Sequence, residues 1–185
     1  MARVLVVFGT TDGQTAKIAQ TLRGRLSAAG HDVSVVDPAA APADISAYDA
    51  IIVAASVHAG GYQRNVARWV RTHARGLDGK PNAFVSVCLG VLQQDPKVNQ
   101  DLQRILDGFS HTTGWRPSET KIVAGALKYT KYNFLKRWIM KRIAAKAGGD
   151  TDTTRDYEYT NWADLQEFAD RFGARAGGRR LKTPA

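Results

Sequence analysis

The sequence predicts an α/β protein of three layers, in which a five-stranded parallel sheet of order 2-1-3-4-5 lies between helices. Two patterns indicate this class. Short apolar segments rich in β-branched residues alternate along most of the chain with segments whose apolar residues recur at helical spacing. Because parallel strands joined through a helix make right-handed crossovers, this alternation favours a doubly wound sheet with helices on both faces.

The five predicted strands are short, apolar and bounded by loops or helices. They are Arg3–Phe8, Asp32–Asp37, Ala50–Ser56, Asn82–Cys88 and Lys121–Leu127. The first, RVLVVF, is apolar on both faces, as expected of a central parallel strand. A further segment at 156–159, DYEY, is predicted to form a short edge strand.

Four predicted helices each carry an apolar stripe that can pack on the sheet. The first spans about 14–29, and the second includes 66–74. The third is predicted to begin with Asp95 as its N-cap and Pro96 as its first residue. The last follows Thr160, which is its predicted cap.

Composition limits the class of protein. At 185 residues with 44% hydrophobic content, residues 1–175 are expected to form one domain and residues 176–185 a flexible tail. A single thiol, Cys88, excludes an intramolecular disulfide framework and a Cys-rich zinc site. The first residues lead directly into a strand, so no signal peptide is expected, and no apolar run approaches the ~20 residues of a membrane-spanning helix.

The chain is strongly basic. Lys and Arg number 26 against 17 Asp and Glu, which gives a net charge of +9. A basic surface attracts nucleic acid, anionic lipid or an acidic small molecule. Nucleic acid is not expected, because no recognised DNA- or RNA-binding module accompanies the charge.

The segment TTDGQT joins the first strand to the first helix, and small hydrogen-bonding residues fill it. They are Thr10, Thr11, Asp12, Gly13, Gln14 and Thr15. A helix N-terminus has unpaired N–H groups and a partial positive charge, so it can hold a phosphate without a cationic side chain. The segment matches neither GxxxxGK[ST] nor GxGxxG, which favours a single phosphate. The alternative interpretation is a helix cap with additional threonines.

Two further loops leave the same edge of the predicted sheet. They consist of Ser56, Val57, His58, Ala59, Gly60, Gly61 and Tyr62, and of Cys88, Leu89 and Gly90. Both suit a planar ligand, on which Tyr62 or His58 can stack. His58 is the one candidate catalytic base, although a structural role is commoner for a loop histidine. Cys88 is better interpreted as a buried thiol than as a nucleophile.

A basic and aromatic insert is predicted at about 128–155, after the fifth strand. Its cations include Lys128, Lys131, Lys136, Arg137, Lys141, Arg142 and Lys146, and Trp138 is among its aromatics. On a helical wheel, most apolar residues of 134–143 lie opposite Lys136, Arg137 and Lys141. The insert is interpreted as a membrane-surface helix or a substrate clamp, or as a packed helix with a solvated basic face.

These segments resemble a known family. TTDGQT is similar to the phosphate loop of flavodoxins, and GALKY, IMK and GGDTDT with YTNW are similar to motifs of the menaquinone-dependent protoporphyrinogen IX dehydrogenases. The resemblance covers about Val4 to Phe172. This sequence differs from the family in one segment: it has GVLQQDPKV where a basic stretch is expected.

The resemblance implies a flavodoxin-like fold, an FMN cofactor and a role in haem biosynthesis. By resemblance, residues 10–15 hold the phosphate, and 56–62 and 88–90 flank the isoalloxazine ring. The implied substrate is protoporphyrinogen IX, and the implied acceptor is menaquinone or ubiquinone. The implied location is the cytoplasmic side of an anionic membrane surface. The alternatives are a flavodoxin-type electron carrier, an NAD(P)H:quinone reductase and a membrane-docking scaffold.

Overall fold

A five-stranded parallel sheet forms the centre of the computed structural model, which describes residues 1–92, 95–146 and 148–178. Its strands are β1 Arg3–Gly9, β2 Asp32–Val36, β3 Ala50–Ser56, β4 Asn82–Val87 and β5 Thr120–Val123. Their order is β2-β1-β3-β4-β5, which confirms the predicted topology.

Within these described residues, five α-helices accompany the sheet. They are α1 Gln14–Ala28, α2 Arg64–Asp78, α3 Pro96–Thr113, α4 Phe134–Lys146 and α5 Trp162–Gly178. Helices α1 and α5 cover one face of the sheet, and α2 and α3 cover the other. An apolar core lies between the sheet and the helices on each face, and alternate residues of β1 pack into the two cores. Val4 and Val6 pack into one core, and Leu5 and Val7 pack into the other. The predicted three-layer architecture is therefore confirmed.

The register of the central strands brings three loops together. Gly9 at the end of β1 pairs with Ala55 of β3, and Ser56 pairs with Val87 at the end of β4. The chain segments that follow these strands leave the sheet side by side. In an open parallel sheet this edge is where ligands bind.

The predicted fifth strand is two strands. β5 ends at Val123, and Ala126–Leu127 forms β6, which pairs antiparallel with β7, Tyr157–Glu158. The predicted edge strand thus joins a separate two-stranded sheet. The chain leaves the main sheet at Gly125, whose carbonyl accepts a hydrogen bond from the N–H of Tyr159 at 3.1 Å.

One of the two predicted helix caps is correct. Asp95 caps α3 by accepting a hydrogen bond from the N–H of Lys97 at 2.8 Å. For α5 the cap is Asn161, whose side chain accepts from the N–H of Asp164 at 3.1 Å. Thr160 lies one residue before this cap, and its hydroxyl donates to the carbonyl of Ala124 at 2.8 Å and accepts from the side-chain amide of Gln14 at 2.9 Å.

The ends and the insert complete the description. Helix α5 includes residues 176–178, which the sequence predicts to belong to the flexible tail. Residues 179–185 lie outside the described residues. Gln93 and Gln94, which belong to the GVLQQDPKV segment that differs from the family, also lie outside them. The insert packs through a small core of its own, formed by Leu127, Tyr129, Tyr132 and Ala144. Within the described part of the chain, no helix combines the length and apolar character needed to cross a bilayer.

Candidate functional site

A cavity of about 210 Å³ lies at the carboxyl ends of β1, β3 and β4, beneath helix α4 of the insert. Most predicted ligand residues line it: Thr10, Asp12, Gln14, Thr15, Ser56, Val57, His58, Ala59, Cys88, Leu89 and Gly90. Six lining residues were not predicted: Val87, Gly125, Ala126, Tyr132, Met140 and Ile143. Five predicted residues are not among the lining residues: Thr11, Gly13, Gly60, Gly61 and Tyr62.

The start of helix α1 is prepared for an anion. Gly13 at the N-cap has φ of 92°, a left-handed conformation that glycine adopts without steric cost, and no side chain in the described part of the protein caps the helix. The first turn of α1 contains no acidic residue. The first N–H groups of the helix and its dipole are therefore available to a negatively charged group.

Three threonine hydroxyls at this helix start have hydrogens to donate. The hydroxyl of Thr10 accepts from the N–H of Gly13 at 2.9 Å, and that of Thr11 accepts from the side-chain amide of Gln63 at 3.2 Å. The hydroxyl of Thr15 is buried and has no hydrogen-bond partner among the described residues. A buried hydroxyl without a partner is costly, so its place at the cavity fits a phosphate oxygen that would accept from it.

The side chain of Gln14 is directed elsewhere. Its amide donates to the hydroxyl of Thr160 at 2.9 Å, in a buried contact that links α1 to the segment before α5. Gln14 was predicted to belong to the phosphate loop, but its side-chain amide is engaged in this contact within the protein. Gln14 can still donate its backbone N–H, which lies at the start of the helix, to a bound anion.

The loop after β3 is a tight two-residue turn. The N–H of His58 donates to the carbonyl of Gly61 at 2.8 Å, and the N–H of Gly61 donates back at 3.1 Å. Both central residues have positive φ, 48° for Ala59 and 78° for Gly60, as a type I′ turn requires. Alanine adopts this conformation only with strain. The turn therefore holds the backbone of Ala59 at the cavity in a fixed and strained conformation.

His58 is the titratable imidazole of the cavity. Its Nε2 lies 3.1 Å from the hydroxyl of Ser56. Desolvation lowers the pKa of His58, and of the two nearby charges Asp12 raises it and Lys136 lowers it. The imidazole is therefore neutral at neutral pH and can accept a proton.

The sequence predicts that Tyr62 or His58 can stack on the ligand, and the structure places the ring of Tyr62 elsewhere. Its ring packs edge-on against Phe84 and Phe109, at centroid distances of 4.9 and 5.1 Å. Its hydroxyl lies 2.7 Å from that of Ser86, and burial raises the pKa of Tyr62 to about 12. The side chain belongs to the core under α2 and α3, because an aromatic ring there gains more from packing than from exposure at a loop.

Gln63 is a positioning residue that the sequence analysis missed. Its amide nitrogen donates to the hydroxyl of Ser56 at 2.7 Å as well as to Thr11. Its amide oxygen accepts from the N–H of Ser56 at 3.3 Å. One side chain thus joins the loop after β1 to the loop after β3, and only the spatial proximity of the two loops reveals this.

Cys88 closes the third side of the cavity as a structural thiol. Its sulfur accepts from the N–H of Gly90 at 3.2 Å, and burial raises the pKa of Cys88. A raised pKa keeps the thiol protonated, which disfavours a nucleophilic role, although Cys88 is half-buried at the cavity wall and not fully buried as predicted.

Helix α4 departs from the ordinary amphipathic arrangement, because cations lie on its inward side together with Met140 and Ala144, and large apolar residues lie on its outward side. Lys136 and Arg137 point inward and are half-buried, whereas Phe134 is 86% and Leu135 65% exposed. Trp138, Ile139 and Ile143 are also exposed. Of the other predicted contact cations, Lys131, Lys141 and Arg142 are exposed and Lys128 is half-buried. The helix therefore presents an apolar face with cations beside it.

Comparison with known proteins is consistent with this site. A profile of the family described as Flavodoxin domain matches residues 5–154. A protein of Escherichia coli K12 named "Protoporphyrinogen IX dehydrogenase [quinone]" is 34% identical over 90% of this chain and 92% of its own length. A Leishmania major protein of the same name is 31% identical over 93% of this chain and 75% of its own length.

Solved structures resemble the fold at lower identity. The oxidised flavodoxin 1 of Bacillus cereus matches 92% of this chain and 96% of its own, with a TM-score of 0.54 and 17% identity. The Streptococcus pneumonia TIGR4 flavodoxin matches 96% of this chain and 99% of its own, with a TM-score of 0.57 and 17% identity. These likenesses establish a flavodoxin-like architecture.

Proposed function

Since the chain belongs to the flavodoxin-domain family and groups within it with the protoporphyrinogen IX dehydrogenases, we propose that it is an FMN-dependent enzyme of haem biosynthesis. It oxidises protoporphyrinogen IX and passes the electrons to a quinone, menaquinone or ubiquinone. The observation that carries the FMN assignment is the buried hydroxyl of Thr15, which has no partner among the residues that the structure describes, beside a helix start that none of their side chains caps.

The phosphate end of the flavin is assigned to the loop after β1. Thr10, Thr11 and Thr15 donate hydroxyl hydrogen bonds, and the backbone of α1 adds its N–H groups. Gly13 allows the chain to turn into the helix without a Cβ in the way. Riboflavin, which lacks the phosphate, would leave these donors without a partner.

The ring end is assigned to the remaining walls of the cavity. Residues 56–59 and 88–90 would flank the ring, and Met140 of α4, which also lines the cavity, would help to hold it. The bound flavin supplies the redox chemistry, and the chain binds, orients and shields it. His58, neutral because its pKa is lowered, accepts a proton released by the substrate at Nε2.

The exposed face of α4 is assigned to an anionic lipid surface on the cytoplasmic side of the membrane. Phe134, Leu135 and Trp138 present apolar surface, and Lys141 and Arg142 lie beside it for lipid headgroups. Such docking brings the cavity close to a quinone dissolved in the bilayer. A substrate clamp built on Lys136 and Arg137 is disfavoured, because both are engaged within the protein.

An anaerobic stopped-flow experiment tests the activity. FMN-loaded protein is mixed with protoporphyrinogen IX while flavin absorbance is followed, and a menaquinone analogue is then added. We expect bleaching by the substrate and recovery with the quinone. Bleaching by NAD(P)H but not by protoporphyrinogen would identify a reductase, and a stable one-electron state without turnover would identify an electron carrier.

Co-sedimentation with vesicles tests the membrane contact. The double variant Phe134→Asp/Leu135→Asp should lose binding to anionic vesicles, because it places two carboxylates on the apolar face. Arg23→Asp, an exposed residue of α1, lowers the net charge by the same amount and should retain most of the binding. Equal loss in both variants would show that net charge alone attracts the protein.

A further inference from the structure

The phosphate loop carries an acid where an anion is to bind. Asp12 lines the cavity between the threonines that offer hydroxyl donors. A free carboxylate at this place repels a phosphate dianion, and the repulsion is strong where protein replaces water. The charge of Asp12 must therefore be cancelled before the loop can take a phosphate.

The insert supplies the cancelling groups. The ammonium of Lys136 lies 2.7 Å from one oxygen of Asp12, and the hydroxyl of Tyr132 donates to the other oxygen at 3.2 Å. The ammonium also lies 4.2 Å from the centre of the Tyr132 ring, which stabilises it further. The side chain of Asp12 is only 19% exposed, so solvent screens this ion pair weakly.

Lys136 is presented from a helix that is held in place. Arg137 donates to the carbonyls of Tyr129 and Tyr132, both at 3.2 Å, and thereby ties α4 to the turn that precedes it. Asn133 accepts from the N–H of Lys136 at 2.8 Å and fixes the start of the helix. The fold of the insert thus positions the side chain of Lys136 against the loop after β1.

We infer that Lys136 determines specificity for a phosphorylated flavin by neutralising Asp12. It is a positioning residue, since it acts on the ligand through the charge of Asp12. The inference rests on the proposed flavin site but not on the porphyrinogen or quinone part of the proposed function. On this inference the insert, which lies outside the flavodoxin core, contributes to the cofactor site by supplying the positive charge that neutralises Asp12.

Binding of FMN and of riboflavin to the apoprotein tests the inference by fluorescence titration. Lys136→Met should weaken FMN binding by roughly 10- to 100-fold, since it leaves a carboxylate facing the phosphate. Riboflavin binding should stay within about twofold, because no phosphate is involved. Lys136→Arg, which keeps the charge, should retain FMN binding. Lys136→Met/Asp12→Asn should recover most of it, because the repelling charge is gone.

A matched control uses another lysine–aspartate pair. Lys121 pairs with Asp164, and neither residue lines the cavity. Lys121→Met should leave both affinities unchanged. Failure of Asp12→Asn to rescue Lys136→Met, or equal weakening of FMN and riboflavin, would overturn the inference.

The same titrations separate this inference from the proposed site. If the unaltered protein binds FMN no better than riboflavin, the phosphate assignment itself fails. If it prefers FMN and Lys136→Met preserves the preference, only the role of Lys136 fails. If the preference falls and is rescued while protoporphyrinogen is not oxidised, the inference stands and the proposed activity fails.

Discussion

Replacing Thr15 with valine separates the stability of the apoprotein from its affinity for the cofactor. The hydroxyl of Thr15 is buried and lacks a partner among the described residues, and the residue is 1% exposed. Valine has nearly the same shape and no polar atom. The substitution therefore removes a buried polar group that the apoprotein does not satisfy and that the phosphate would satisfy.

The two effects have opposite signs. A buried hydroxyl without a partner costs about 1–3 kcal/mol, so the apoprotein should gain about 1 kcal/mol in its free energy of unfolding. For a chain of this length that gain raises Tm by about 3 °C. A hydrogen bond to a charged group contributes about 1.5–3 kcal/mol, so the dissociation constant of FMN should rise by roughly 10- to 100-fold.

Urea unfolding of the apoprotein measures the first effect, and quenching of FMN fluorescence measures the second. Thr21→Val provides the control, because the hydroxyl of Thr21 lies on the same helix but donates to the carbonyl of Lys17 at 3.1 Å. It should change neither quantity by more than about 0.5 kcal/mol. A destabilised Thr15→Val apoprotein with unchanged FMN affinity would refute the assignment of this hydroxyl to the phosphate.

Three other perturbations have defined outcomes. Gly9→Ala should destabilise the protein by about 1–3 kcal/mol in urea unfolding, because its Cβ would clash with a methyl group of Val66. Cys88 should react with iodoacetamide much more slowly than a free peptide thiol at about pH 8, since burial raises its pKa. Burial also lowers the pKa of His31 and His58. The unfolded chain then binds more protons, so the free energy of unfolding should fall as the pH drops through about 6.5, and His31→Asn should reduce this dependence.

The sequence predicted the sheet order because each central strand is apolar enough to be recognised alone. It predicted one continuous strand at 121–127 because that segment has no polar interruption. The break at Gly125 depends on β7, which lies some thirty residues further along the chain. Thr160 and Asn161 are both good caps by composition, and the contacts that engage the Thr160 hydroxyl, with Ala124 and Gln14, involve residues distant in the sequence.

In the site, spacing identified the loops but not the direction of side chains within them. Tyr62 follows a glycine pair, and its ring could either stack on a ligand or pack against aromatic residues of the core. Local sequence does not distinguish these two positions of the ring. Helix α4 shows the same limit. Its pattern indicated an apolar and a basic face, but Lys136 turns inward to pair with Asp12, more than a hundred residues earlier, whereas Lys141 of the same predicted face is exposed.

The pairing of β6 with β7 makes the insert a removable module. The chain departs at Leu127 and returns at Tyr157, directly opposite on the neighbouring strand. Because the two ends meet, the excursion can lengthen, shorten or be exchanged during evolution without shifting a strand of the parallel sheet. A shortened version would lack its counter-ion for residue 12, so a loss of the module is expected to be accompanied by an uncharged residue at that position.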